Sequence, residues 1–322
     1  MSVSVRYHDP ADHEAYLALL RQGLDPDFAV ERFQWLHQRG PWGPSRLVVC
    51  EAAGKLVGGY AVMPRRGERD GRSLALARDL DPVVLPEWRG RGLFGRMLDH
   101  AVATMSGFDL HYNFANAASA PGFRRHGWRD AGPLLDAAWQ TGVARPLSAE
   151  LPLWLLGRLT PRRRAPVREL DTAAVDTMLA APPGAPPAPG RVRVERSAAY
   201  LHWRYREHPW RRYRWFLAET DPPLAAVVSH DPHRRRLLVM ELLGGGSDPD
   251  VGPLLRAWDR LFPRTWVALW STVPRRLRRH FRIHPLHRDG LTFLVRAVGR
   301  GGVVDSFRPE GWYLTPGDLE VL

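Results

Sequence analysis

One cysteine in 322 residues, Cys50, excludes an intrachain disulfide and any multi-cysteine metal site. It lies in the apolar stretch Leu47-Val48-Val49-Cys50, where a small buried thiol is the expected state. No run of about 18 apolar residues occurs, which excludes a helical membrane span. The opening Met1-Ser2-Val3-Ser4-Val5-Arg6 has no apolar core of signal-peptide length, so a cytoplasmic protein is expected. Lysine is nearly missing too. Lys55 is the only one, so the basic residues (46, against 34 acidic) are almost all arginine. The net charge of +12 suggests a polyanionic partner, but the arginines are spread over both halves. That spread argues against nucleic acid as the main partner and suits an anionic cofactor equally well.

The length suits two domains of roughly 150 residues, each able to bury a core. Patterning places strands at 3–7, 46–52, 56–63, 73–85 and 110–115, with helices at 12–20, 26–39, 92–106 and 121–126. The helix after Gly92 is the best patterned, with Leu93, Phe94, Met97, Leu98, Ala101, Val102 and Met105 along one face. A linking helix at 151–159, closed by Pro161, leads to a new first strand at 167–170. At a constant offset of 168, Trp35 meets Trp203, Leu47-Val48-Val49 meets Trp215-Phe216-Leu217, and 57–61 meets 225–229. The match extends over about 27 residues without a gap, which makes duplication of one fold the better reading.

The sharpest local signal is Val83-Val84-Leu85-Pro86-Glu87-Trp88-Arg89-Gly90-Arg91-Gly92-Leu93-Phe94, followed at once by the patterned helix. A helix N-terminus presents unpaired N–H groups and partial positive charge. Gly90 and Gly92 let backbone approach a phosphate, and Arg89 and Arg91 add charge. The result is a pyrophosphate cradle. No Gly-Lys-Ser/Thr follows, as a P-loop needs, and no first strand of a dinucleotide fold stands in place. Further along comes Asn116-Ala117-Ala118-Ser119-Ala120-Pro121-Gly122-Phe123-Arg124-Arg125-His126-Gly127-Trp128.

The first segment resembles the Val-x-Pro strand end and Gln/Arg-x-x-Gly-x-Gly/Ala signature of the GNAT (Gcn5-related N-acetyltransferase) superfamily. Arg89 and Gly92 hold its first and fourth positions, and Phe94 departs from the small residue at the sixth. The second segment looks like the family's Asn-x-x-Ala-x-x-x-Tyr, with Phe123 replacing the tyrosine. The resemblance covers about residues 1–145. It implies an α/β (α+β) fold of two GNAT-like domains, each a mixed, mostly antiparallel sheet flanked by helices. The division is a coenzyme-binding domain at 1–146, a linker at 147–163 and a degenerate copy at 164–322.

The resemblance further implies direct transfer from acetyl-CoA, or another acyl-CoA, to the amine of a small molecule such as an amino sugar. Adenosine diphosphate would rest on Arg89, Gly90, Arg91, Gly92, Leu93 and Phe94. Pantetheine would lie along Val83, Val84 and Leu85, with the Val84 region's N–H polarising the thioester carbonyl. Asn116, Ser119 and Phe123 would complete the coenzyme site. A phenyl ring donates no proton, so solvent or another residue protonates the thiolate, or no acid is needed. Pro82 suggests a bulge that splays the fourth and fifth strands.

The attacking amine needs a base. Asp81 is the first candidate and Asp79 the second. By the period-two rule both share one strand face with Ala75 and Ala77, and His111 and Tyr112 come next. No metal is expected: in His280, His284 and His287 the helical spacing is interrupted by Pro285. The second half lacks an arginine-glycine loop after 237–243. Asp248 and Asp250 there suit helix capping, so this half is expected not to bind coenzyme A. Tyr200-Leu201-His202-Trp203-Arg204-Tyr205 reads as packing, and 274–280 as an echo of a helix in the first half. The alternative to an enzyme is a catalytically silent acyl-CoA-binding or scaffolding protein, motivated by Phe123 and the missing second cradle.

Overall fold

The early alternating segments form β1 (Val3–Tyr7), β2 (Arg46–Ala52), β3 (Lys55–Arg69) and β4 (Arg72–Val84), with β5 (Leu110–Ala115) beyond a helix. The computed structural model describes residues 2–131, 135–140, 165–184, 189–246, 249–270, 282–285, 291–298 and 311–319. The tight hairpins are set by Ala53-Gly54 and Asp70-Gly71, each with positive φ at both residues, which matches the right-handed twist of the strands they join. α1 (His13–Gly23), α3 (Leu93–Thr104) and α4 (Ala120–Arg125) lie close to their expected positions. The helix expected over 26–39 starts later, as α2 (Val30–Phe33), and continues as a π-helical turn, Gln34–Gln38. Asp25 takes the earlier residues into a turn: it accepts from Asp27 N at 3.1 Å, and its carbonyl accepts from Phe28 N at 3.0 Å.

After β6 (Arg129–Asp130) and β7 (Leu135–Gln140), the second half begins with β8 (Val167–Leu170), α5 (Thr172–Ala180) and β9 (Val192–Val194). Next come α6 (Ala198–Leu201) with its own π-helical turn, His202–Arg206, then β10 (Arg214–Ala218), β11 (Leu224–Asp231) and β12 (Arg236–Gly244). α7 (Gly252–Leu261), β13 (Trp266–Trp270), β14 (Arg282–Pro285), β15 (Thr292–Ala297) and β16 (Trp312–Tyr313) complete it.

Two sheets result. The first runs β1-β2-β3-β4-β5-β15-β6, with β9 on the long β3 and β16 on β9; the second runs β8-β10-β11-β12-β13-β7-β14. Along both paths every neighbour is antiparallel except the fourth and fifth strands, β4/β5 and β12/β13. Each sheet therefore has the same order and sense, and each takes its sixth strand from the other half of the chain. β15 lies between β5 and β6, and β7 lies between β13 and β14. A division at 1–146 and 164–322 cuts across both sheets.

α3 and α4 cover the outer face of the first sheet over Tyr60, Ala77, Phe123 and Trp128. α7 covers the outer face of the second. The inner faces share one core holding Tyr16, Phe33, Trp35, Tyr200, Trp203 and Trp215. At its centre the two tryptophans aligned at offset 168 meet. Trp35 and Trp203 stack with centroids 4.8 Å apart, and each indole N–H donates to the other's carbonyl, at 2.9 and 2.8 Å. Equivalent residues in reciprocal contact are what an internal two-fold axis produces. The packing role expected for the 200–205 segment holds.

The linker at 147–163, the helix at 151–159, the segment at 274–280, His280, His287 and Asp248 lie outside the described residues; of His284 only the backbone, in β14, is described. No helix among the described residues is long and apolar enough to cross a membrane.

Candidate active site

β4 and β5 pair in parallel through Leu76↔Leu110, Ala77↔His111 and Arg78↔Tyr112, and no pair follows. Residues 79–84 and 113–115 therefore diverge and open a cleft. Its cause is on the β3 side. Ala61 pairs with Leu80 and Gly59 with Val83, so Tyr60 alone faces both Asp81 and Pro82. That is the bulge expected at Pro82, and it holds Asp81 at φ +46, a left-handed conformation costly for any residue with a Cβ.

Past the bulge, Leu85 N–H donates to Val57 O at 3.0 Å. Peptide groups alternate along a strand, so Val84 turns its N–H and C=O toward the cleft. The Arg89 guanidinium donates from Nε to Val84 O at 3.0 Å, as that orientation requires. Val83 and Leu85 are buried core side chains; only the Val84 backbone faces the gap.

The loop beyond is exposed from Arg89 to Gly92. Gly90 (φ +75) and Gly92 (φ +72) supply its left-handed turns. The first hydrogen bond within α3 is Arg96 N–H to Gly92 O, at 3.1 Å, which leaves the amides of Leu93, Phe94 and Gly95 without helical partners. Arg91 stacks on Trp88 at 4.7 Å. Phe94, where a small residue was expected, lies edge-on to Phe123 at 5.0 Å. Gly122 makes room for it: a Cβ there would sit 2.5 Å from the Phe94 ring.

Asn116 caps α4. Its Oδ1 accepts from Ala118 N (3.1 Å), Ser119 N (2.9 Å) and Ser119 Oγ (3.1 Å). Phe123 is buried between Phe94, Tyr60 and Trp128 and offers no proton.

The two aspartates do not share a face. The extra residue of the bulge reverses side-chain parity, so Asp79 points to the α3/α4 side and Asp81 to the inner side. Asp79 is fully buried and saturated: Tyr60 Oη (2.5 Å) and His111 Nδ1 (2.9 Å) bond Oδ1, and Trp128 Nε1 donates to Oδ2 (3.0 Å). Among the described residues Asp81 has one hydrogen-bond partner, His37 Nε2, 3.1 Å from Oδ2. Burial pushes the Asp81 carboxyl up, but the His37 bond and charge, with Arg32 and Arg78, outweigh it and hold the group below its usual value. His111 and Tyr112 are both buried, on opposite faces of β5. Cys50 is buried as expected, and burial raises its thiol to about 11.

His37 and Ser45 escaped the sequence reading. Their only signal was a histidine inside the aromatic run Phe33-Gln34-Trp35-Leu36-His37, and nothing local says which strand it meets. Among the described residues no group of three His, Cys, Asp or Glu could hold a metal.

In the second half the corresponding strand pair, β11/β12, is also bulged, and Tyr205, at offset 168 from His37, donates to Glu241 at 2.9 Å. That carboxylate is occupied by Arg196 Nε at 2.9 Å, and Arg196 also bonds Asp318 at 2.8 Å. The loop after β12 is Gly244-Gly245-Gly246, and its first two amides are spent on Gly184 O and Pro223 O. Asp250, expected to cap, lies one residue ahead of the N-cap Val251 of α7 and accepts from Gly252 N at 2.9 Å.

Residues 4–131 match the sequence model described as an acetyltransferase (GNAT) domain. A search of curated proteins found no match. Among solved structures, a probable N-acyltransferase of Enterococcus faecalis V583 is similar at TM-score 0.66 and 11% identity, covering 95% of this chain and 74% of that one. A GCN5-related N-acetyltransferase of Anabaena variabilis is similar at TM-score 0.66 and 15% identity, covering 92% and 73%. Eis1 of Mycobacterium abscessus is similar at TM-score 0.58 and 18% identity, covering 92% and 74%. At these identities the likeness shows the fold.

Proposed function

From the match of residues 4–131 to an acetyltransferase (GNAT) domain, we propose that the chain moves an acetyl group from acetyl-CoA to the primary amine of a small molecule. The observation that carries this reading is the cleft between β4 and β5, with the Val84 backbone turned into it and the free amides of α3 at its mouth. Pyrophosphate sits on Gly90–Gly95 with Arg89 and Arg91 beside it. Pantetheine enters the cleft from the α3/α4 side, between Leu93-Phe94 and Ser119, with Asn116 shaping the α4 turn. Arg89 releases Val84 O to do this. The Val84 N–H then receives the charge that develops on the thioester oxygen.

The amine approaches from the inner face, where Asp81 waits. Asp79 is the weaker base, because three donors already fill its oxygens and no solvent reaches it. Its task in this reading is to anchor Tyr60, His111 and Trp128 under the coenzyme. With Phe123 in place of a proton donor, the thiolate takes its proton from solvent in the cleft. The second half is read as a copy of the same fold that has lost the cradle; the identical strand order and the spent amides of its glycine loop support this.

Isothermal titration with coenzyme A and acetyl-CoA tests the site. Wild type should bind both, and Arg89→Ala should weaken binding about tenfold, the order of one lost charge-assisted contact. Absence of binding to the pure, folded chain would remove the proposal. Thiol release across a panel of primary amines separates an enzyme from a silent acyl-CoA-binding protein, which would bind and release nothing.

A further inference from the structure

Asp81 belongs to a hydrogen-bonded chain of three side chains. Ser45 Oγ lies 3.1 Å from His37 Nδ1, and His37 Nε2 lies 3.1 Å from Asp81 Oδ2. The chain is held from several sides. Ser45 N–H donates to His37 O at 2.8 Å, and the His37 ring packs on Phe33 at 5.0 Å. The His37 side chain is 1% exposed and that of Asp81 7%, while Ser45 is half-buried at the surface end. An ionised carboxylate only accepts, so Nε2–H donates to Asp81, and in the tautomer that carries its proton there Nδ1 accepts the Ser45 hydroxyl. No other hydrogen bond reaches this carboxylate among the described residues, which leaves Oδ1 free.

In the second half Tyr205, at offset 168 from His37, meets Glu241, which by register answers to Val83 rather than to Asp81, and Arg196 occupies that carboxylate. A left-handed aspartate held at a bulge, with one oxygen oriented and the other open, is strain retained where it is used.

We propose that His37 and Ser45 are positioning residues for acetyl transfer: Ser45 sets the His37 tautomer, and His37 orients Asp81 so that Oδ1 faces the incoming amine. This rests on the acetyltransferase reading above. An ammonium substrate gives one proton to Asp81 Oδ1. Its nitrogen attacks the thioester carbon, the C–N bond forms, and the C–S bond breaks with its electron pair leaving on sulfur. A second nitrogen proton is lost as the amide forms, and the thiolate takes up one proton. Asp81 returns its proton to solvent, so each turnover yields one amide, one thiol and one proton.

The groups facing Asp81 are His37 from the π-helical turn, Arg32 from α2, Arg78 from its own strand and Tyr16 from α1. Without the His37 donor, burial dominates and the carboxyl titrates higher. The test uses the full chain with 13C-labelled aspartate carboxyls, Asp81 being assigned by Asp81→Asn. In wild type the Asp81 signal should not titrate between pH 4 and 8. In His37→Phe its midpoint should rise by about one unit or more, in Ser45→Ala by less, and His37→Gln, which keeps a donor, should restore it. Coenzyme A affinity should stay within about twofold in all three, since none touches the cradle. The acid limb of thiol release from acetyl-CoA, with glucosamine as probe amine, should shift with the NMR midpoint. An unchanged Asp81 titration in both His37→Phe and Ser45→Ala overturns the proposal. If His37→Phe does not fold, Ser45→Ala decides alone. Loss of coenzyme binding by wild type would instead sink the acetyltransferase reading, while the carboxyl titration remains readable.

Discussion

At the scale of single residues, Asp79 and Asp81 show how one inserted residue separates two like side chains. They are two positions apart and were expected side by side, yet the bulge gives one a saturated buried seat and the other a single partner. The difference is measurable. Asp79→Ala strands the donors of Tyr60, His111 and Trp128 in a sealed core, and should cost about 3–5 kcal/mol in urea unfolding. Asp79→Asn keeps an acceptor and should cost less. Asp81→Asn should leave unfolding nearly unchanged and abolish the base.

At the scale of elements, the proposed cradle depends on the abrupt start of α3. Gly92 enters the helix from a left-handed φ, and the space around its Cβ position is open, so a side chain there meets strain rather than a clash. Gly92→Ala should therefore lower stability by about 1–2 kcal/mol and weaken coenzyme binding as the loop relaxes. Thermal melts and calorimetry on the same sample check both. The elements themselves were largely legible. β1, β2 and β5 fall where apolar periodicity put them, as does α3, because burial on one face is written into spacing. The π-helical turns were not. They need one extra residue per turn, which periodicity alone does not signal, and they rotate Trp35 and Trp203 onto the internal axis.

At the scale of the whole molecule, the exchange of β7 and β15 makes each half depend on the other. The isolated segment 1–146 lacks β15, so β5 loses its partner and β7 has no sheet to join. It should be unfolded by circular dichroism, whereas the full chain should melt in one transition. Acid should loosen the same interface. His208 packs on Trp35 at 4.5 Å, and burial, then Arg204, Arg211 and Arg212, lower it to about 3. The unfolded chain takes up a proton near pH 6.5 that the folded chain refuses until about pH 3. Stability from this group is thus complete above pH 6.5 and falls as pH drops toward 3. The slope is at most about 1.4 kcal/mol per pH unit, reduced by whatever solvent reaches the ring. Tryptophan fluorescence during unfolding at pH 7 and pH 5 should show the loss, and His208→Phe should flatten it.

The order of letters alone was enough for the places of β1, β2 and β5, the glycine-arginine loop with its amphipathic helix, the bulge at Pro82 and the pairing of Trp35 with Trp203 at offset 168, but not for β3, which runs to Arg69 rather than to 63. Each is a local matter of side-chain spacing or backbone freedom over a few residues. Which strand lies beside β5, which face Asp81 takes and what His37 touches were decided only in the folded chain. Backbone hydrogen bonds at a sheet edge are chemically alike whatever strand supplies them, so partner choice belongs to the assembled core rather than to any segment of it.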